Sequence, residues 1–332
     1  MAERKSAPGI QALINSGALL AGSDPSLVVR YEPTGIPQLD TLLGGGFAYR
    51  RITMIVGPEG TGKTLVAQYA VAAVQRAGKR AALIDTELSY TAHWWARSGV
   101  DTDSLWVVRT PTGEAAIDAF ESVLESGVGI VVVDSLAALV PTQDIEVSTE
   151  AGKQIGTLAR LVNLLCRKAL AKCMEHETII LLINQTREGF GPGAAETYPG
   201  GRGQRFYAHS RLRTSRDDYL KDKDGNRIGW SMRILAQKNK PGEEQGMCIV
   251  SAYYTEQIDV IQCYVDDAIN SGLIIAKGAW YTYGEIQFHG KAALREYFVA
   301  NPEMVEGLRN GGTPLPIESV PAVMDFTAGI QH

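Results

Sequence analysis

The run GPEGTGKT, from Gly57 to Thr64, matches the spacing G-x-x-x-x-G-K-[ST]. An apolar, strand-like stretch, RITMIVG, leads into it, and a helical pattern follows. Glycines at this spacing let successive backbone N–H groups turn toward phosphate oxygens, and the positive end of the helix adds to that attraction. Gly57, Pro58, Glu59, Gly60, Thr61 and Gly62 would form the cradle. Lys63 would reach the β- and γ-phosphates, and the Thr64 hydroxyl would hold Mg²⁺. The chemistry that suits these residues is binding of ATP with Mg²⁺. A Gly-rich turn without ligand is the plainer alternative, and the flanking strand and helix speak against it.

A metal-assisted phosphate site needs a further acid, and hydrolysis needs a group to orient water. GIVVVDS supplies Asp134 at the C-terminal end of an apolar strand, where open α/β sheets bind ligands. Asp134 is expected to hold Mg²⁺ through water. ALIDTE ends another strand with Asp85 and Glu87, which share a face by the two-residue period. Glu87 is the candidate for positioning water, with Asp85 structural. Gln185 ends TIILLINQ and could either contact the γ-phosphate or simply cap the strand.

Beyond Gln185 the chain turns polar. INQTREGFGPGAAETYPGGRGQRF, Ile183 to Phe206, has no apolar period of its own, and such loops in compact domains are often functional. Between Asn184 and Arg216 lie Arg187, Arg202, Arg205, Arg211, Arg213 and Arg216, against Glu188 and Glu196. Arginines on a strand such as SRLRTSR often pair with surface acids. Arg202 and Arg205, beside paired glycines and Phe206, also suit a phosphate backbone and bases. A second loop, Thr142 to Gly156, leaves the same sheet edge.

These residues need a scaffold. The chain has 332 residues, 45% hydrophobic and 21% charged, with a formal net charge of -5. That length allows one large core and a smaller domain. The acidic balance does not advertise nucleic acid, so any such contact must come from a local basic patch. Cys166, Cys173, Cys248 and Cys263 form no CxxC pair and read as buried thiols of a reducing cytosol. No signal peptide or apolar membrane span is evident. RITMIVG, RAALIDTE, SLWVVRT, GIVVVDS and TIILLINQ alternate with helical stretches at 63–77, 113–126 and 152–173. That alternation predicts an α/β fold with a mostly parallel, helix-covered sheet. SRLRTSR, WSMRILAQ and CIVSAYY, with no helix between them, predict an antiparallel edge. From 259 a helix, a hairpin and one or two more helices read as a small α/β domain ending near 310. Residues 311–332 read as a flexible Pro/Gly-rich tail, and residues 1–32 as a helical arm.

Taken together, GPEGTGKT, IDTE, VVVDSLAAL, INQTR, GGRGQRFYAHSRLR, QKNK and GAWYTYGEI, in this order and spacing, resemble the RecA family of ATP-dependent DNA recombinases, bacterial and phage branch. PTGIPQLDTLLGGG is closer to the archaeal RadA and KaiC-type relatives, a pattern expected of a divergent or phage-encoded member. The resemblance implies a P-loop RecA-type core at 33–258, an oligomerisation arm at 1–32 and DNA-binding loops at about 142–156 and 185–205. It implies ATP hydrolysis on helical filaments that the protein forms with itself on single-stranded DNA, pairing it with double-stranded DNA in a bacterial cytoplasm. Glu87 would be the catalytic glutamate, and Gln185 would couple nucleotide to the second loop. Lys238 and Lys240 of QKNK would cross to a neighbour's γ-phosphate. Trp94 falls where the family stacks a tyrosine on adenine, and Tyr254 matches a residue reaching adenine from a neighbouring subunit. Ile155, Arg160, Asn163, Arg167, Arg187, Gly200, Gly201 and Arg202 match DNA-contacting positions, and Phe206 one that couples the subunit interface to the DNA loop. Thr91 stands where the family has an aspartate holding adenine, and Arg202 where it has an asparagine.

A closed-ring ATPase of the helicase or KaiC type would share the phosphate loop and PTGIPQLDTLLGGG, but would need neither QKNK nor a small C-terminal domain. A DNA-binding accessory protein without hydrolysis is the third possibility, against which Lys63, Glu87 and Asp134 all count.

Overall fold

A computed structural model of the chain describes residues 9–16, 19–146, 156–173, 175–187, 196–242, 244–255 and 257–309. They fall into two units, divided after Arg30. The first carries a short helix, Ile10–Asn15, and a 3-10 turn, Pro25–Leu27, whose Ser26 N–H donates to the Asp24 side chain. Residues 1–8 of the expected arm, the expected tail at 311–332 and Ile155 lie outside the described residues.

From Tyr31 onward the chain is built on a nine-stranded sheet. Its strands are β1 (Arg51–Gly57), β2 (Ala81–Asp85), β3 (Leu105–Val108), β4 (Ile130–Asp134), β5 (Ile179–Gln185), β6 (Ser210–Lys221), β7 (Arg227–Asn239), β8 (Met247–Tyr253) and β9 (Gln257–Ile258). The order across the sheet is β9-β8-β7-β6-β1-β5-β4-β2-β3. β6, β1, β5, β4, β2 and β3 run parallel, while β6 to β9 pair antiparallel. The expected parallel sheet with an antiparallel edge is what forms.

The strands are apolar on both sides because both sides are covered. On one face Ile55, Leu83, Ile130, Val132, Leu181 and Ile183 pack under α1 (Lys63–Arg76), an Ala- and Val-rich helix buried along most of its length. On the other, Met54, Ile84, Val131, Val133, Ile180 and Leu182 pack under α2 (Gly113–Glu125) and α3 (Thr157–Lys172). Each such side chain taken wholly out of water contributes roughly 1.5–3 kcal/mol. Thr112 caps α2 by accepting the Ala115 N–H at 3.2 Å. Lys168 to Glu121, at 2.6 Å, and Lys172 to Glu125, at 2.9 Å, tie α3 alongside α2. α3 begins at Thr157, later than the pattern from 152 suggested.

The last described segment forms a third apolar cluster. α4 (Val260–Asn270), α5 (Lys291–Ala300) and α6 (Pro302–Arg309) pack with a three-stranded sheet, Ile275–Lys277, Trp280–Tyr283 and Ile286–His289. Tyr283, Phe288, Tyr297 and Phe298 are buried at its centre with ring centroids 5.1–5.5 Å apart. The hairpin was expected; its third strand, Ile275–Lys277, is exposed along its length and carries no apolar alternation to reveal it. Among the described residues no helix is long and apolar enough to cross a membrane.

Candidate nucleotide and DNA sites

Two-residue periodicity alone sorts the strand ends between the two faces of the sheet. Leu83, Val132, Leu181 and Ile183 face α1. Stepping by two from them puts Asp85, Asp134 and Gln185 on that same face, beside the start of α1. Asn184, one residue earlier than Gln185, faces the α2 and α3 side. Adjacent residues at one strand end therefore serve opposite faces of the sheet.

On the α1 face the phosphate loop has the backbone its glycines predict. Gly62 caps α1 at φ 92°, and a Cβ there would run into Met232 Sδ; a Cβ on Gly57 would run into the Thr214 carbonyl. Thr61 Oγ1 donates to Pro58 O at 2.8 Å and shares a hydrogen bond with Thr214 Oγ1, also at 2.8 Å. Lys63 Nζ donates to Pro58 O at 2.6 Å, folding over its own loop. Thr64 Oγ1 donates to Asp134 Oδ2 at 2.6 Å. Burial pushes the Asp134 carboxyl up to about 6; Glu87 adds to that rise, while the Thr64 bond and Lys63 oppose it. Burial also holds the Lys63 ammonium below the ordinary lysine range, against the pull of Asp134, Glu87 and Glu59. Both groups are desolvated in a site whose charges are only partly balanced, a setting that favours a bound polyanion and cation.

Glu87 lies at the mouth of this site. Its Oε1 accepts from Ser135 Oγ and, at 3.0 Å, from Gln185 Nε2. Its backbone N–H donates to Asp134 O at 3.3 Å, beside that of Thr86, which donates to the same oxygen at 2.9 Å. Asp85 is occupied elsewhere: it accepts from Ser89 and Tyr90 N–H groups and from Arg109 Nε at 2.9 Å, the structural part expected of it. A cleft of about 230 Å³ is lined by Glu59 to Leu65, Glu87, Trp94, Asp134, Gln185 and Trp230. Trp94 stands on the short helix Ala92–Ala96 with the Arg97 guanidinium 4.9 Å from its ring. Trp230 is a wall that the sequence did not reveal. It arrives on β7, and the Tyr254 ring lies 5.6 Å from it. Tyr254 thus packs against Trp230 at the edge of its own chain's cleft.

Lys238 and Lys240 are not in this cleft. A β-bulge sets Gln237 and Lys238 together against Arg211, which is level with Met54 rather than with the phosphate loop. Lys238 Nζ donates instead to the carbonyls of Arg205, at 3.1 Å, and Phe206, at 3.5 Å. Phe206, on the helical turn Gln204–Tyr207, is 83% exposed.

On the opposite face, α3 presents Arg160, Asn163 and Arg167 along one side, three and four residues apart. The turn Gly200–Gly203 sits against that helix: added Cβ atoms would meet Val162 at Gly200, Ala159 at Gly201 and Asn163 at Gly203. Arg202 is exposed on this turn, and Arg187 is exposed where it exchanges backbone hydrogen bonds with Thr197 at 2.7 and 2.9 Å. The polar stretch is therefore less structureless than its composition suggested, though residues 188–195 lie outside the described ones. The basic island also divides. Arg213 is engaged by Glu196 through two bonds, 2.8 and 3.0 Å, and Arg216 Nη2 donates to Gly60 O at 2.9 Å. Arg160, Arg167, Arg187 and Arg202 remain exposed on the described surface.

The comparisons with known proteins agree with this geometry. The model of the RecA N-terminal domain matches residues 10–259. The chain belongs to the RecA family. It is a recombinase by that membership, in DNA recombination and repair. It is similar to Protein RecA of Levilactobacillus brevis, 37% identical over 289 residues, covering 86% of this chain and 76% of that one. Against Protein RecA of Aquifex pyrophilus the identity is 37% over 283 residues, covering 82% and 80%. Against that of Thermus aquaticus it is 35% over 307 residues, covering 90% of each chain. The RecA-family resemblance read from the sequence motifs is thereby shown.

Proposed function

We propose that the protein hydrolyses ATP in a DNA-dependent manner while assembled with copies of itself on single-stranded DNA, and that it pairs this strand with homologous duplex. The observation that carries this reading is the meeting of Lys63, Thr64, Asp134, Glu87 and Gln185 on one sheet face, with Gln185 bonded directly to Glu87.

The residues present fit Mg²⁺ and ATP. Thr64 and Asp134 already form a hydroxyl–carboxylate pair suited to the ion, and the phosphate loop has no room for side chains at Gly57 and Gly62. Bound Mg²⁺-ATP would supply the phosphoryl group and the cation that neutralises its oxygens. Lys63 would leave Pro58 O for the phosphates. Glu87 would hold the attacking water by Oε2, since Oε1 carries both of its described bonds. Trp94, Trp230 and Tyr254 offer apolar faces for the base. Lys238 and Lys240, off their own chain's cleft, would complete a neighbour's site. Arg160, Asn163, Arg167, Arg187 and the Gly200–Gly201–Arg202 turn would follow the DNA backbone. The chain from 259 to 310 would act as a small C-terminal domain, and that from 1 to 32 as the oligomerisation arm.

Electron microscopy with single-stranded DNA and a slowly hydrolysed ATP analogue tests the assembly. Open helical filaments that need both ligands, and that Lys63→Ala fails to form, are the expected result. Closed rings, or particles indifferent to DNA, would move the assignment to a ring ATPase.

A further inference from the structure

Between the nucleotide face and the DNA face lies a buried pair of amides that the reading above does not use. Asn184 and Gln204 are both wholly inaccessible to solvent. Asn184 Nδ2 donates to Gln204 Oε1 at 3.0 Å and to Pro199 O at 2.9 Å. Gln204 Nε2 donates to Pro199 O at 2.7 Å and to Gly201 O at 2.8 Å. Two of these hydrogen bonds hold the turn that carries Arg202 to the end of β5, and the other two close the turn on itself. Asn184 pairs with Val56 and Gln185 with Gly57 in the sheet, so neither can shift along β5 without the other.

The placement has a direction. Gln185 Nε2 touches the carboxylate proposed to orient water, and Asn184, the next residue back, holds the DNA-side turn. That turn needs its glycines, because Gly200 and Gly201 take φ of 86° and 75° and Gly200 packs against Val162 with no room for a Cβ. Asn184 Oδ1 is buried and meets no donor among the described residues.

We propose that Asn184 and Gln204 are positioning residues that transmit the state of the nucleotide site to the Gly200–Gly203 turn, making DNA affinity depend on which nucleotide is bound. The inference rests on the reading that Gln185 senses nucleotide and that Arg202 grips DNA. Coupling of this kind requires an element biased by both ligands, and the amide pair is the bonded link from Gln185 across the sheet to the turn.

The test measures the dissociation constant of a fluorescein-labelled oligo(dT) by anisotropy, once with ADP and once with a slowly hydrolysed ATP analogue. The quantity read is the ratio of the two constants. Gln204→Leu keeps the side-chain volume and deletes the amide; Asn184→Ala deletes the other partner; the double variant deletes both. Expected is a fall in the ratio of about fivefold or more in Gln204→Leu, with the double variant no worse than the more affected single one. If Asn184→Ala does not fold, Gln204→Leu and Gln204→Met carry the test. An unchanged ratio overturns the proposal. So does a uniform loss of affinity with both nucleotides, which a merely structural role would give. A wild-type protein that binds DNA equally with either nucleotide overturns the underlying reading of Gln185, and the amide link with it.

Discussion

Both described hydrogen bonds to the Glu87 side chain fall on Oε1, from Ser135 and Gln185. One carboxylate is thereby held by the neighbour of Asp134, the acid proposed to hold the metal, and by the amide that opens the proposed DNA loop. Replacing Glu87 with Gln keeps the shape and removes the base. Single-turnover hydrolysis in Glu87→Gln is expected to slow by roughly 10²–10⁴-fold, with nucleotide affinity close to wild type. Retained hydrolysis would take the role from Glu87. At this scale the sequence spoke clearly where the signal was local. Lys63 and Thr64 sit in a spaced motif, and Asp134, Glu87 and Gln185 each terminate an apolar run. Ser135 was adjacent to one of them and went unread, because nothing in VVVDS says where its hydroxyl turns. Trp230 gave no local sign at all, since it reaches the cleft only through the pairing of β6 with β7.

The junction of β1, the phosphate loop and α1 depends on clearances between elements. Gly62 holds a left-handed backbone against Met232 on β7, two strands from β1. A Cβ there meets both a backbone cost of roughly 1–2 kcal/mol and the Met232 thioether. Gly62→Ala is therefore expected to lower stability by at least about 1 kcal/mol in urea denaturation and to weaken binding of a fluorescent ATP analogue. Adding Met232→Ala should restore part of the binding and none of the backbone cost. Full binding in Gly62→Ala alone would show that the loop tolerates the change. The elements themselves were largely legible, because the strands of a doubly covered sheet announce themselves as continuous β-branched runs. What escaped was register. The bulge at Gln237 decides which way Lys238 points, and it is set by the match of two strands, which no single run of residues encodes.

Over the whole molecule, a formal charge of -5 coexists with a cationic face on α3 and the turn beside it. Binding there should be strongly salt-dependent, since displaced counterions drive it. Arg187→Ala together with Arg202→Ala is expected to flatten the plot of log affinity against log salt by about 0.7 for each phosphate of a single strand that is no longer neutralised; an unchanged slope would assign those arginines elsewhere. Lys238 and Lys240 act at a different range. On the reading that they finish a neighbour's site, contacts between copies run head to tail, an arrangement that leaves an open chain rather than a closed pair. A row of n subunits then contains n − 1 completed centres. One terminus holds a nucleotide that no neighbour's lysine reaches, and the other presents Lys238 and Lys240 with no neighbouring nucleotide to meet. The two ends differ in chemistry although every subunit is the same, so growth and loss of subunits acquire a direction from the turn of one strand at Gln237.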